Sequence, residues 1–543
     1  MIRIQLSFQD RWQESSGNYL VGAAFIGDEP CDVLASIPSS DKPNFSTSLV
    51  DFVKRLNGFF AMIVRPQQGL LFAAVDRLRS TPLYYWAEGD NFFLSDDPEW
   101  ILRELGNRAI SSVPQTEFLL AGYVTGEETL YSNVKQLQAG EYLWVTESNG
   151  QTEVKVDRYF LYQHTRPVQQ RESELLRLHD MAVDQSIARL IHYANGRTIL
   201  LPLSGGLDSR LIAIKLRSHG YSNVVCFTYG LPGNAEAEIS KQVASKLGFH
   251  WEFVPYTLAD WKDWSQLPEW TAYSHFAQRA VSVPHFQDWP AIRFLVGNGI
   301  VPVDSVAVPG HTADVLAGSY LGPQFFYGQR FSASKLRDCI WIRHYALQDS
   351  RQLARMYPTL VQETSACMRK IGSILAFDGH PMTSESAASS FERWGWQERQ
   401  AKFIVNSVRV YEFFGLDWWL PLWDVEMMAF WASVPLSSRE NTRLYHHYMA
   451  MIQTEEGLEF PIPPRGVGHG HIQKGLRVFL NRMGVLETLK RWKQTMNAPD
   501  ARAEYYGHPL AWFGIMDFPS FAAAYTGRES INTFLARKMI QDL

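Results

Sequence analysis

Leu203-Ser204-Gly205-Gly206-Leu207-Asp208-Ser209-Arg210 is the segment whose residue types and spacing carry the most specific chemistry. Two adjacent glycines let a backbone come close to an anion. A helix starting just after them offers unpaired N–H groups and the positive end of its dipole. The Ser204 and Ser209 hydroxyls add donors, and Asp208 can hold Mg²⁺ against phosphate oxygens. The spacing is neither GxxxxGK(S/T) nor GxGxxG, which excludes a Walker-type loop and a dinucleotide-binding turn. The bland alternative is an ordinary glycine turn with a Ser or Asp cap. His469 and His471 lie in a second Gly-rich stretch, but without further ligands at a recognisable spacing they read as a solvated or substrate-facing loop.

The elements that must position the first segment follow from hydrophobic patterning. Thr198 to Leu203 is an apolar run, Val224 to Tyr229 a second and Trp251 to Tyr256 a third. Helical stretches lie between them, one through about Arg217 and one from Ala235 to Leu247. That alternation predicts parallel β-α units in a doubly wound sheet, with the glycine turn at a strand-to-helix junction where ligands bind. Upstream, Leu176, Leu178, Met181, Ala182, Ile187 and Leu190 predict one broad apolar helical stripe, and from about Leu336 onward helical patterning dominates. The first 160 or so residues read as β-rich, with hairpins at Pro66–Gly69 and Glu88–Asn91 and a late strand from Gly140. The polar stretch from Gln163 to Glu174 separates the halves, giving domains 1–162 and 175–543.

The chain has 543 residues, with 46% hydrophobic and 20% charged residues, which excludes wholesale disorder. A net charge of −5 argues against a dedicated nucleic-acid binder. Cys31, Cys226, Cys339 and Cys367 are scattered with no CxxC pair, which excludes a thiolate zinc site and fits a reducing cytoplasm. There is no secretory leader pattern and no apolar run long enough to span a bilayer. Six tryptophans crowd Trp394 to Trp431, where core packing is favoured over a sugar platform. Asp424 reads as a helix cap, and Cys226 as a small core residue.

Ser204-Gly-Gly-Leu-Asp-Ser209 matches the pyrophosphate-binding loop of the ATP pyrophosphatases, and the chain as a whole resembles the asparagine synthetase family. Gly310-His-Thr-Ala-Asp314-Val-Leu-Ala-Gly318-Ser-Tyr320 looks like the family's GxGADExxGGY loop, which implies that Asp314 shares Mg²⁺ with Asp208. Gly415 to Asp424 is similar to the GLExRVPFLD segment. This puts Asp417 in the place of the acidic residue near the acyl-adenylate, and Trp419 in the place of the usual Arg. Phe227 to Gly230, with Tyr229, occupies the strand end whose backbone faces adenine. Asn57 to Ala61 and Asp76 to Tyr85 are similar to segments of the family's N-terminal glutaminase domain.

The resemblance implies an α/β protein. An N-terminal Ntn-hydrolase-like β-rich sandwich would precede a doubly wound parallel ATP pyrophosphatase domain with helical additions. Glutaminases of this type attack with a cysteine at position 2. Here that residue is Ile2, too bulky to favour removal of the initiator Met, and the glutamine-binding segment is missing between Ile26 and Val53. No thiol means no γ-glutamyl thioester, so the glutaminase is expected to be inactive. ATP and Mg²⁺ are the implied cofactors, bound by Leu203, Ser204, Gly205, Gly206, Leu207, Asp208, Ser209, Phe227, Tyr229, Gly310 and Asp314. A carboxylate would be adenylated and passed to ammonia or a substrate amine, in a surface-polysaccharide or natural-product pathway. Asp417 and Tyr411 are the candidate base and relay, and Lys474 the oxyanion cation with Arg465 in reserve. The alternatives are a cyclase like the β-lactam synthetases or lasso-peptide cyclases, an ammonia-driven asparagine synthetase, and a non-catalytic partner subunit. No nucleic acid or membrane partner is expected, and a homodimer is left open.

Overall fold

The computed structural model describes every residue except 42, 149, 166, 328–329, 349, 377–379, 459, 461–499, 526 and 528. Among the described residues, strands of the first half form two sheets. The smaller has the order β1 (Ile2–Gln5), β8 (Asn91–Ser95), β7 (Tyr84–Glu88), β9 (Lys135–Gln136). The larger runs β11 (Gln151–Arg158), β10 (Glu141–Ser148), β6 (Leu70–Val75), β5 (Asn57–Gln67), β3 (Asn18–Ile26), β2 (Trp12–Ser15), with β4 (Glu29–Cys31) also on β3. Both expected hairpins are present, as β5–β6 and β7–β8.

Side-chain alternation builds the layers. Along β5, Ala61 and Ile63 face the smaller sheet together with Ala73, Leu83 and Leu94. Phe60, Met62 and Val64 face the other way, onto Leu49, Phe52 and Val53 of helix α1 (Phe45–Arg55). A strand period of two thus covers both faces of one sheet. The Asp76 carboxylate, fully buried, gathers the N–H groups of Phe60, Leu78 and Ser80 and holds the loop after β6 against β5.

The second half begins with helix α2 (Glu172–Ala194), whose buried face includes Leu175, Ala182, Ile187 and Leu190. Met181, expected in this stripe, is 47% exposed, because it falls on the opposite side of the helix from Val183 and Ile187. There follow β12 (Ile199–Pro202), α3 (Leu207–Ser218), β13 (Val224–Gly230), α4 (Ala235–Leu247), β14 (His250–Pro255), α5 (Trp289–Gly297) and β15 (Val306–Ala307). Then come α6 (Ala333–His344), β16 (Asp417–Trp418), α7 (Val425–Ser433) and α8 (Arg443–Glu455). The five strands are parallel in the order β14-β13-β12-β15-β16. Ile199, Leu200 and Leu201 are fully buried, as a central strand covered on both faces requires. The chain winds outward from β12 to β14, returns, and continues on the other side with β15 and β16. The order therefore reverses between β12 and β15.

A buried polar lock joins the halves. Asp424 accepts from Arg189 Nε at 2.8 Å and Nη2 at 2.7 Å, and from Asn57 Nδ2 at 3.1 Å at the start of β5. It also caps α7 through Glu426 N at 3.0 Å. Beside it, Trp419 stacks on Tyr193 at 4.5 Å and meets Phe59 edge-on at 4.8 Å. All six crowded tryptophans are buried, so they serve packing. No helix among the described residues is long and apolar enough to cross a membrane.

Candidate active site

In an open α/β sheet, ligands bind outside the carboxyl ends of the strands where the strand order reverses. Here that point lies between β12 and β15, and each strand delivers one loop to it. Leu203 to Gly206 leaves β12, and Gly206 caps α3 with extended backbone (φ −76°, ψ 173°). Ser209 Oγ accepts from Ser204 N at 3.2 Å, and Ser204 Oγ accepts from Gly206 N at 3.1 Å. The two hydroxyl oxygens lie 3.3 Å apart. The loop is thereby folded on itself at the start of α3, a helix long enough for its dipole to favour an anion.

The second loop follows β15. Gly310 lies so close to α3 that a Cβ on it would stand 2.7 Å from Ser209 N. This contact needs glycine for space. Beyond it, Asp314 N donates to Asp208 Oδ2 at 3.4 Å, and Asp208 Oδ1 accepts from Tyr445 OH at 2.8 Å. Burial, with the Asp208 and Asp314 charges, holds the Tyr445 hydroxyl well above its usual range, so it stays a donor. The structure thus brings together Ser204, Gly205, Gly206, Asp208, Ser209, Gly310 and Asp314. Gly310→Ala is expected to push the loops apart and cut catalysis about a hundredfold, the scale of a 1 Å misplacement. Unchanged turnover in a folded variant would show that the contact is irrelevant.

The set suits Mg²⁺ with a polyphosphate. That ion keeps most of its waters and takes one or two protein carboxylates together with phosphate oxygens. Two aspartates are present, and among the described residues no group of three or more His, Cys, Asp or Glu offers an all-protein metal cage.

The other expected residues fall elsewhere. Asp417 pairs in register with Val306, and Val306 with Ile199, the first residue of β12. It therefore stands at the edge of the sheet opposite the Ser204 loop, because parallel strands put their starts together. It is ion-paired there with Arg197 at 2.5 Å and lines a cavity of about 960 Å³ between the halves, along with Arg11, Tyr193 and Glu412. The same segment buries Trp419 against Tyr193 and against Phe59 of the first half. Tyr411 is buried and donates to Asp288 Oδ2 at 2.9 Å rather than to Asp417. Tyr229 OH donates to the other oxygen of the same carboxylate, and burial raises the Asp288 pKa. Phe227 is fully buried, its carbonyl accepting from Leu203 N at 2.9 Å. Lys474, Arg465, His469 and His471 lie outside the described residues. Leu207 is a buried anchor of α3.

Two family models match the chain. One described as glutamine amidotransferase domain covers residues 45–160, and one described as asparagine synthase covers residues 182–448. The chain belongs to the asparagine synthetase family. Both loops at the strand reversal of this asparagine synthetase family member fall inside the second match. A protein of Methanocaldococcus jannaschii, provisionally assigned as asparagine synthetase (glutamine-hydrolyzing) 2, is 26% identical over 188 residues. That alignment covers 34% of this chain and 36% of the relative, so the chain spans about a third of the length of the curated relative it matches.

Tyr445 and Asp288 belong to this neighbourhood and were not legible in the sequence. Tyr445 lies 237 positions from Asp208, on α8, and Asp288 stands just before α5 with no motif around it. Neither residue carries a local signal.

Proposed function

We propose that this protein is an ATP-dependent amide ligase that splits ATP between its α- and β-phosphates. The supporting observation is the convergence of Asp208 and Asp314 beside the Ser204–Ser209 loop at the point where the strand order reverses. The Gly205 and Gly206 backbone and the start of α3 cradle the departing pyrophosphate, with the two serine hydroxyls as donors. Asp208 and Asp314 would hold Mg²⁺, which supplies charge screening on the phosphates. Tyr445 holds Asp208 by its Oδ1. A substrate carboxylate oxygen attacks the α-phosphorus, the bond to the β-phosphate oxygen breaks, and an acyl-AMP results. An amine nitrogen then bonds to the acyl carbon, AMP leaves, and the amine proton passes to a base.

ATP–pyrophosphate exchange tests this reading, run with aspartate, uronic acids, nucleotide-activated uronic acids and a short peptide acid. Exchange dependent on one acid supports it. No exchange, with no ATP bound, would hand the protein to the scaffold reading instead.

The amine comes from a source other than glutamine hydrolysis. Position 2 is Ile2 on β1, and it packs between the two sheets of the first half. Cys31 packs against the cluster on the other face of the larger sheet, so it does not replace the missing thiol. The expected result is glutamate release at the level of a blank, with free ammonia or an amine substrate supporting product formation. Glutamate release coupled to turnover would refute this part.

A further inference from the structure

Tyr320 closes the loop that carries Asp314. Ser319 N donates to the Asp314 main-chain carbonyl at 2.9 Å, closing the turn that Tyr320 follows. Two arginines from separate elements converge on that ring. Arg399, on the π-helical stretch Gly395–Ile404, donates from Nε to Tyr320 OH at 3.1 Å, and Gln400 Nε2 donates to the same oxygen at 3.1 Å. Arg343, in the last turn of α6, holds its guanidinium 4.5 Å from the centre of the Tyr320 ring. The arrangement is tied to both ends of the loop, since Gln400 Oε1 also accepts from Thr312 Oγ1 at 3.0 Å. Gly395 backs the ring, and a Cβ there would lie 3.7 Å from Tyr320 Cδ2.

Three acids near these arginines are engaged elsewhere. Glu398 pairs with Lys402 at 2.7 Å and accepts from Gly126 N at 2.9 Å, Glu392 pairs with Arg439, and Asp338 lies 3.6 Å from Arg337. Among the described residues neither Arg343 nor Arg399 forms an ion pair. His344, packed edge-on to Tyr320 at 5.9 Å, brings no negative charge. Burial first, then the Arg399 and Arg343 charges, keep it neutral. Arg399 is half-buried and spends its Nε on a phenol, which leaves the two-nitrogen end of its fork for another group. A guanidinium fork matches the paired oxygens of a carboxylate or a phosphate, and two of them held close without a counter-charge are stabilised by an anion.

We propose that Arg343 and Arg399 form a subsite for an anionic group, phosphate or carboxylate, on the substrate that meets ATP. The proposal deepens the ligase reading and rests on it for its purpose: the second substrate bears this anion beside the Asp314 loop. It differs from the Ser204 loop in using side-chain cations in place of a helix start.

The test uses the full chain with the phosphate loop filled by Mg²⁺ and α,β-methylene-ATP. Inorganic phosphate and succinate are titrated calorimetrically into wild type, Arg343→Gln, Arg399→Gln and Arg399→Lys. Wild type should bind one of the two anions, and Arg343→Gln and Arg399→Gln should each weaken it about tenfold or more, as the loss of a charge-assisted pair predicts. Arg399→Lys, which keeps the charge and loses the fork, should fall between. Preference for phosphate identifies a phosphate-bearing substrate, and preference for succinate a carboxylate-bearing one. Arg343 is exposed, so its variant leaves the core intact and decides the matter if the Arg399 variants melt early. Wild type that binds neither anion, or variants that bind like wild type, would overturn the proposal. Failure of α,β-methylene-ATP to bind would count against the ligase reading alone, because the wild-type and Arg343→Gln titrations still read the subsite.

Discussion

Asp208→Ala should abolish nucleotide chemistry while leaving the fold in place. Among the described residues its carboxylate accepts from Tyr445 OH and from Asp314 N, both at the mouth of the crevice. Removing it takes one of the two carboxylates available to Mg²⁺ and the link between the β12 and β15 loops. A preorganised group that stabilises developing charge is worth about a hundredfold to a thousandfold in rate, so exchange should drop at least that far. The melting temperature should stay near that of wild type. Asp314→Ala should give a similar loss, and the double variant should cost little more than either alone, because the two residues serve one ion. A folded Asp208→Ala protein with unaltered exchange would remove the metal assignment.

The second large effect concerns stability. Asp424→Ala should destabilise the chain by about 3–5 kcal/mol, the cost of leaving a buried charge without its partner. Arg189 and Asp424 side chains are 2% and 3% exposed, and the aspartate accepts from Arg189, Asn57 and Glu426 N. After the substitution the arginine keeps the exposed Asp28 carboxylate and the Gly27 carbonyl, both on Nη1, and its Nε and Nη2 lose the buried carboxylate. Replacing the pair together, as Arg189→Met with Asp424→Leu, should recover much of the loss, since two apolar side chains leave no stranded charge. Urea unfolding followed by tryptophan fluorescence reads both. If the single variant unfolds at the wild-type midpoint, the lock between the halves does not hold them.

How far the sequence told this story depended on whether each signal was local. The Ser204–Ser209 loop was legible because glycine spacing, the apolar run before it and the helix after it sit within twenty residues of one another. Asp314 was legible by resemblance, and its neighbouring Gly310 now has a steric reason. The turn-bounded runs located the β5–β6 hairpin, while the division of its side chains between two cores was read from the structure. Asp417 shows where this reasoning stopped. The motif located the segment but not which end of the parallel sheet it would occupy, and that is decided by strand register across more than two hundred residues. Tyr411 was placed beside the wrong carboxylate for the same reason, because its partner Asp288 comes from 123 positions away. Met181 was assigned to a stripe wider than the face α2 buries.

The central claim is that ATP is cut between its α- and β-phosphates by the Asp208 and Asp314 loops. Phosphorus NMR of a reaction with ATP, Mg²⁺, the acid that supports exchange and an amine reads the cleavage position directly. The account predicts AMP and pyrophosphate in equal amounts, with amide formed in step and neither seen with Asp208→Ala. ADP and inorganic phosphate as the products would contradict it.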